Sequence, residues 1–134
     1  MFASEAMAVQ PIKILGPRSA DNTAQATGNY VEVKDYIGVL VAIQFVGGIA
    51  DNTSLVGALY TANASNGLGE TLMTPMDGNW GAVTSNQNLQ KRTYDLKQNK
   101  GWIKYVGTIT GGPVSAMTLL GLARPQVSSN NVDF

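Results

Sequence analysis

The sequence predicts an all-β fold, an antiparallel sandwich of about eight strands. Three observations predict it. Short runs rich in Val, Ile, Thr and Tyr recur at roughly ten-residue spacing, divided by Gly, Asn, Asp and Pro. No window of about 11 residues carries the apolar i, i+3, i+4, i+7 stripe and caps of an amphipathic helix. The strongest run, Tyr36 to Val46, is apolar on both alternating faces, as a central strand should be.

Met1 to Gln10 reads as an N-terminal arm, a short helix or a loose segment, ahead of a sandwich spanning 11–124. Pro11 to Leu15 alternates Ile12 against Lys13, and Gly16-Pro17 is expected to end that strand. Residues 18–28, small and polar, suit a loop. A strand over Tyr30 to Val33 and a turn at Lys34-Asp35 lead into the central strand. There Ile37, Val39, Val41, Ile43 and Phe45 share one face, and Gly38, Leu40, Ala42, Gln44 and Val46 the other. The second of these apolar faces calls for a cover, from a neighbouring element or another subunit.

Gly47-Gly48 and Asp51-Asn52 break the chain before Thr53 to Thr61, where Leu55, Gly57 and Leu59 oppose Val56, Ala58 and Tyr60. Asn66-Gly67 favours a tight turn, Pro75 interrupts a short strand over Thr71 to Met76, and Asp77-Gly78-Asn79 turns the chain into Trp80 to Thr84. Strands follow over Gln90 to Leu96, Gly101 to Thr110 and Val114 to Ala123. The Gly111-Gly112-Pro113 tip joins the last two as the firmest expected hairpin, because it cannot continue a strand. Residues 125–134 are polar and read as an extended C-terminal tail. No repeat, linker or shift in composition marks a second domain.

Composition limits the chemistry. Nine Lys+Arg balance nine Asp+Glu, and only 13% of the 134 residues are charged, about half the usual share. A surface so poor in charge is unusual for a lone monomer and suits a protein that lies against neighbours. The chain holds no cysteine and no histidine. That removes a thiolate nucleophile, a Ser-His-Asp triad, a disulfide framework and the usual zinc site. Zero net charge with no basic run argues against nucleic-acid binding through phosphates. Ile37 to Val46 falls short of the ~20 apolar residues of a membrane-spanning helix, and the first ten residues lack the basic start of a secretory signal.

Carboxylates are the remaining acid–base candidates: Glu5, Asp21, Glu32, Asp35, Asp51, Glu70, Asp77, Asp95 and Asp133. Most stand beside Gly or Asn, where Asp makes local turn hydrogen bonds rather than the converging pair of a glycosidase. Asp51-Asn52 and Asp77-Gly78-Asn79 are too sparse for a calcium loop. Gly67-Leu68-Gly69 lacks the third glycine and following helix of a phosphate loop. Asn52-Thr53-Ser54 and Asn63-Ala64-Ser65 are chance glycosylation sequons in an Asn-rich chain. Trp80 and Trp102, with Tyr36, Tyr60, Tyr94 and Tyr105, offer rings that stack on sugars, which is the alternative function: a carbohydrate-binding sandwich or viral adhesin. Against it, Tyr94 and Tyr105 are expected in the core, with Trp80 pinning the loop after Asp77-Gly78-Asn79.

Residues Gly101 to Gln126, GWIKYVGTITGGPVSAMTLLGLARPQ, resemble the C-terminal hairpin of small tailed-phage capsid decoration (cement) proteins. The likeness lies in an aromatic-basic strand ending in a Thr/Gly turn, a Val/Ala/Leu strand, and a Gly-x-x-Arg-Pro ending, here Gly121-Leu122-Ala123-Arg124-Pro125. Lys104 supplies the basic residue, while Tyr105 replaces the frequent second one. The Tyr36–Phe45 strand and the Asp77-Gly78-Asn79-Trp80 turn extend the resemblance over about residues 30–126. It implies a jelly-roll-like sandwich on the outside of a virion, clamping major capsid protein subunits and associating with its own copies. Candidate interface residues are Trp80, Trp102, Lys104, Arg124, Pro125 and Phe134. The expectation is a structural protein without turnover, cofactor, metal, nucleic acid or membrane, at least one of whose termini orders by lying across a neighbour.

Overall fold

The computed structural model describes residues 9–84 and 88–126. It is a two-layer all-β sandwich. Sheet A holds four antiparallel strands in the order β1 (Gln10–Ala20), β8 (Val114–Pro125), β3 (Tyr36–Ile49) and β6 (Asn88–Asp95). Sheet B holds β2 (Val31–Glu32), β7 (Trp102–Thr110), β4 (Ser54–Ala62) and β5 (Thr71–Leu72). A 3-10 turn over Leu96–Gln98 follows β6, capped by the Asp95 carboxylate, which accepts from the Lys97 N–H.

The period-2 pattern sets which side chains meet between the sheets. From sheet A come Ile12, Ile14, Leu40, Ala42, Val46, Tyr94, Leu119 and Ala123. From sheet B come Leu55, Leu59, Ile103 and Tyr105. All are buried, and together they form one core. At full burial each large aliphatic contributes about 1.5–3 kcal/mol, so this layer dominates the stability. Two glycines let the layers approach. A Cβ on Gly121 would stand 2.8 Å from Ile14 and 3.0 Å from Leu40, and one on Gly57 would overlap Oε1 of Gln44.

Four sequence expectations need correction. First, 102–110 and 114–123 do not pair. β7 bonds to β2 and β4, whereas β8 bonds to β1 and β3 in the opposite sheet. Gly111-Gly112-Pro113 is a corner between layers, with Gly111 at φ 86° and Gly112 at φ 120°. The Gly112 N–H donates to Thr53 Oγ1 at 2.8 Å, tying the corner to the entry of β4. Second, Gly16-Pro17 does not end β1, which runs on to Ala20 through three register shifts. As an edge strand, β1 pairs with β8 alone among the described residues and tolerates a residue without an N–H. Third, residues 26–28 are not a plain loop: Gly28 N–H donates to Tyr105 O at 3.0 Å and Gly107 N–H to Ala26 O at 3.2 Å, so this segment lies along β7. Fourth, 80–84 forms no strand beyond a single bridge from Val83 to Leu55.

Both edges of sheet A are blunted. β1 carries exposed Pro11 and Pro17 and its irregular register. Beside β6 the segment 76–81 adds its own bonds: Met76 N–H to Thr93 O at 2.7 Å, Thr93 N–H to Asp77 Oδ1 at 2.9 Å, and a two-way pair between Gly81 and the Gln90 amide. Sheet B ends on strands of two residues at either side. Prolines, irregular register, covering loops and very short edge strands all discourage strand addition.

Candidate functional site

The outer face of sheet A is the most conspicuous surface of the molecule. Register places its residues in transverse rows. One row reads Pro11, Leu122, Val41, Thr93; the next reads Lys13, Leu120, Ile43, Lys91; a third reads Thr118, Phe45, Leu89. Ile37 and Val39 continue the strip on β3, opposite Arg124 and Asp95 respectively. Ile37, Val39 and Phe45 are 43–44% exposed, and Leu89 is 67% exposed. The strip therefore runs uncapped by any described side chain large enough to bury it.

Its size follows from strand geometry. Ile37 to Phe45 is about 30 Å of strand, and β8, β3 and β6 together are ~14 Å wide, giving an apolar surface of roughly 400 Å². That sits in the range of the largest apolar patches on monomers, which are often functional. It is about half of what one partner buries in a standard interface. Among the described residues the charged rim is mainly positive: Lys13, Lys91 and Arg124 stand beside the strip, with Asp95 as the acidic member. At the end where β3 begins, Val9, Ile37, Val39, Val41, Leu122 and Arg124 line a shallow groove of about 370 Å³. At this end the register of β3 against β8 shifts between Ile37 and Leu40, around Gly38 at φ 83°.

The sequence-derived interface candidates are not gathered together. Trp102 and Lys104 lie on the outer face of sheet B, on the far side of the sandwich from Arg124. Trp80 belongs to the core, 7% exposed, and its Nε1–H donates to the Tyr94 hydroxyl at 2.6 Å. It offers little surface to a partner. Pro125 closes β8 opposite Tyr36. Phe134 falls outside the described residues, as do Glu5 and Asp133.

On sheet B, lysines occupy the aromatic faces. Lys34 Nζ lies 5.6 Å from the Trp102 ring centroid and Lys104 Nζ 5.0 Å from that of Tyr30. Lys104 also pairs with Glu70 at 3.0 Å, and the Tyr30 hydroxyl donates to the same carboxylate. The Tyr30 bond, followed by Lys104, holds the Glu70 carboxyl below its usual range. Burial and then the Glu70 bond push the Tyr30 phenol up. Asp77 is held low chiefly by the Thr93 N–H that it caps. These carboxylates serve structure: each is engaged with a neighbour, and among the described residues no three acidic side chains converge on a metal-sized site. Nor is any helix among them long and apolar enough to cross a membrane.

Residues missed from sequence are Leu89, Leu120 and Leu122, whose membership of the strip depends on register across strands distant in the chain. The β3 half was visible in the two-sided apolar run.

No family model matches the chain, and no curated protein matches it. Among solved structures it is similar to VP2 in the infectious bursal disease virus VP2 subviral particle, at 14% identity and a TM-score of 0.52 over 87% of this chain and 32% of that one. The chain thus spans about a third of that VP2 chain. It is also similar to the SPBc2 prophage-derived protein YomS, at 12% identity and a TM-score of 0.45 over 86% of this chain and 91% of that one. A carbohydrate-binding module of Cel9A from Ruminococcus flavefaciens FD-1 shows 11% identity and a TM-score of 0.45, over 88% and 98%. At these identities the likeness to VP2 is one of fold, a β-sandwich, and the other two carry no argument.

Proposed function

We propose that this protein is a structural component of a virion that lies on the outside of a phage head and holds neighbouring major capsid subunits together. The observation that carries the reading is the exposed apolar strip on sheet A, set between blunted edges. A molecule that suppresses strand addition yet leaves ~400 Å² of apolar face in water is built to dock by its face. The Gly121–Pro125 ending, on which the decoration-protein resemblance rests, contributes Leu122 and Arg124 to this surface. The two strands of that resemblance lie in different sheets, so the likeness is to the sequence ending rather than to a hairpin.

Docking through so small a strip is weak at one site. Association becomes firm when linked copies engage several subunits at once, because each further contact forms at high effective concentration. The protein then works by binding, without turnover, cofactor or metal. The lysine-capped rings of Tyr30 and Trp102 and the buried Trp80 favour this reading over sugar stacking.

The test is co-sedimentation with phage shells that lack the protein. Wild-type chain is expected to pellet with shells and raise the temperature at which they rupture. The double variant Val39→Glu/Leu120→Glu, changed at two exposed positions, is expected to stay folded and remain in the supernatant. Pelleting of the variant equal to wild type, or no pelleting of wild type, overturns the proposal.

A further inference from the structure

We propose that a notch in the edge of β4, at Gly57, takes the side-chain carboxamide of a glutamine presented by another protein. Leu55 exchanges both of its backbone hydrogen bonds with Val83, at 3.0 and 2.8 Å, and Leu59 O accepts from the Met73 N–H at 2.9 Å. Both residues therefore turn their backbone groups away from β7. Gly57 lies between them in an unbroken register, so its N–H and C=O point the same way. Gly107, opposite it on β7, accordingly donates its N–H to Ala26 O on the far side. Gly57 is buried, and neither of its backbone groups has a partner among the described residues. Buried backbone groups in a folded chain are nearly always paired.

The vacancy has a cause in the sequence. Continuing the β4–β5 register from Tyr60–Leu72 puts Pro75 opposite Gly57, and proline has no N–H to give. The chain leaves the edge there, runs beside β6 and returns at Val83. A pocket of about 230 Å³ remains, with Gly57 in its lining and Leu72, Met73, Pro75, Asn79 and Trp80 around it. Leu55 and Leu59, where the flanking segments bond, are about 13 Å apart along β4, so a further strand laid along this edge would run into both segments. A group entering end-on fits, and it must accept from one N–H and donate to one C=O. A carboxylate only accepts and an ammonium only donates. A primary carboxamide does both, and the molecule shows that arrangement twice next to the pocket wall. The Gln98 amide accepts from the Thr74 N–H at 2.8 Å and donates to Thr74 O at 2.9 Å. The Gln90 amide does the same at Gly81, at 3.1 and 3.0 Å. Gly57 is a third such pair, lacking its glutamine, and the apolar wall suits the two methylenes of that side chain.

The test uses the purified full chain with no shells present, so its outcome is separate from the virion reading. The isotope-labelled chain is followed by NMR while propionamide, the glutamine side chain as a free molecule, is added. The Gly57 amide resonance is expected to move saturably. Propionate and propanol are expected to move it little, and so is N-methylpropionamide, whose trans amide holds N–H and C=O on opposite sides. The peptide acetyl-Gly-Gln-Gly is expected to act as propionamide does, and acetyl-Gly-Glu-Gly is not. Leu72→Ala, at a wall position 54% exposed, is expected to weaken propionamide binding several-fold. A Gly57 resonance left in place by propionamide overturns the proposal. An equal response to N-methylpropionamide or propanol does so too, because the notch then reads something other than a primary carboxamide. Failure of the glutamine peptide, or unchanged binding in Leu72→Ala, also counts against it.

Discussion

Tyr105 of β7 donates its hydroxyl to Oε1 of Gln44 on β3, joining the two sheets through the centre of the core. Both side chains are 0% exposed, and Nε2 of Gln44 has no hydrogen-bond partner among the described residues. A buried hydrogen bond contributes about 0.5–1.5 kcal/mol net, but an orphaned partner costs about 1–3 kcal/mol. Tyr105→Phe is therefore expected to lose about 1–3 kcal/mol, because it strands the whole Gln44 amide. Adding Gln44→Met is expected to restore part of that loss, so the two changes are strongly non-additive. Urea unfolding of both single variants and the double variant measures the coupling; additive losses would refute it.

Gly57 provides the space for that bond. A methyl group there would overlap Gln44 Oε1 and come within 2.9 Å of the Tyr105 ring. Gly57→Ala is expected to destabilise the fold by about 1–3 kcal/mol through overpacking, against the usual benefit of replacing a strand glycine. Thermal unfolding reads this directly, and an unchanged midpoint would contradict it.

The corner between sheets is equally constrained. Gly112 has φ 120°, and a Cβ on it would stand 2.7 Å from the Asp21 carbonyl oxygen. Gly112→Ala is expected to cost more than ~2 kcal/mol, since strain and collision add. Gly78, φ 94° with open space around it, supplies the comparison: Gly78→Ala meets strain alone and is expected to cost less. Equal losses at the two sites would show that contact with Asp21 is unimportant.

Stability is expected to be nearly flat from about pH 5 to 9, because no histidine or cysteine titrates there. Burial raises Tyr105 and Tyr30 above their ordinary value of 10.0 and pushes Tyr94 up to about 12. A phenol with a raised folded pKa stabilises fully below the unfolded pKa. Its contribution then falls as pH climbs from about 10 toward the folded value. On the acid side, Glu70 and Asp77 have depressed pKa values, so their contribution is present above 4.5 and 3.8 and declines as pH drops below them. Urea midpoints across pH 2–12 test this; a midpoint rising above pH 10 would reverse the sign.

The sandwich was legible because alternation is a local property. Leu55, Gly57 and Leu59 face inward as their spacing requires, and β3 shows its two apolar faces in one unbroken run. Strand partnership was not. Gly111-Gly112-Pro113 announces that the chain turns, yet the same residues serve a hairpin or a step to the other sheet. The decision lies with Thr53 and Asp21, some 60 and 90 residues earlier in the chain. Pro17 misled in the same way, since only the position of β1 at an edge makes a proline acceptable there. The β3 half of the strip was visible as a surface wanting a cover, but its lysine rim at positions 13 and 91 emerges only once register is known.

The prolines of β1 and the 76–81 segment beside β6 also set how the molecule behaves in bulk. A β-rich chain with few charges would ordinarily be at risk of stacking laterally into fibres as it accumulates. Here both margins of sheet A discourage lateral strand addition, so concentration alone favours fibre growth less than the composition would suggest.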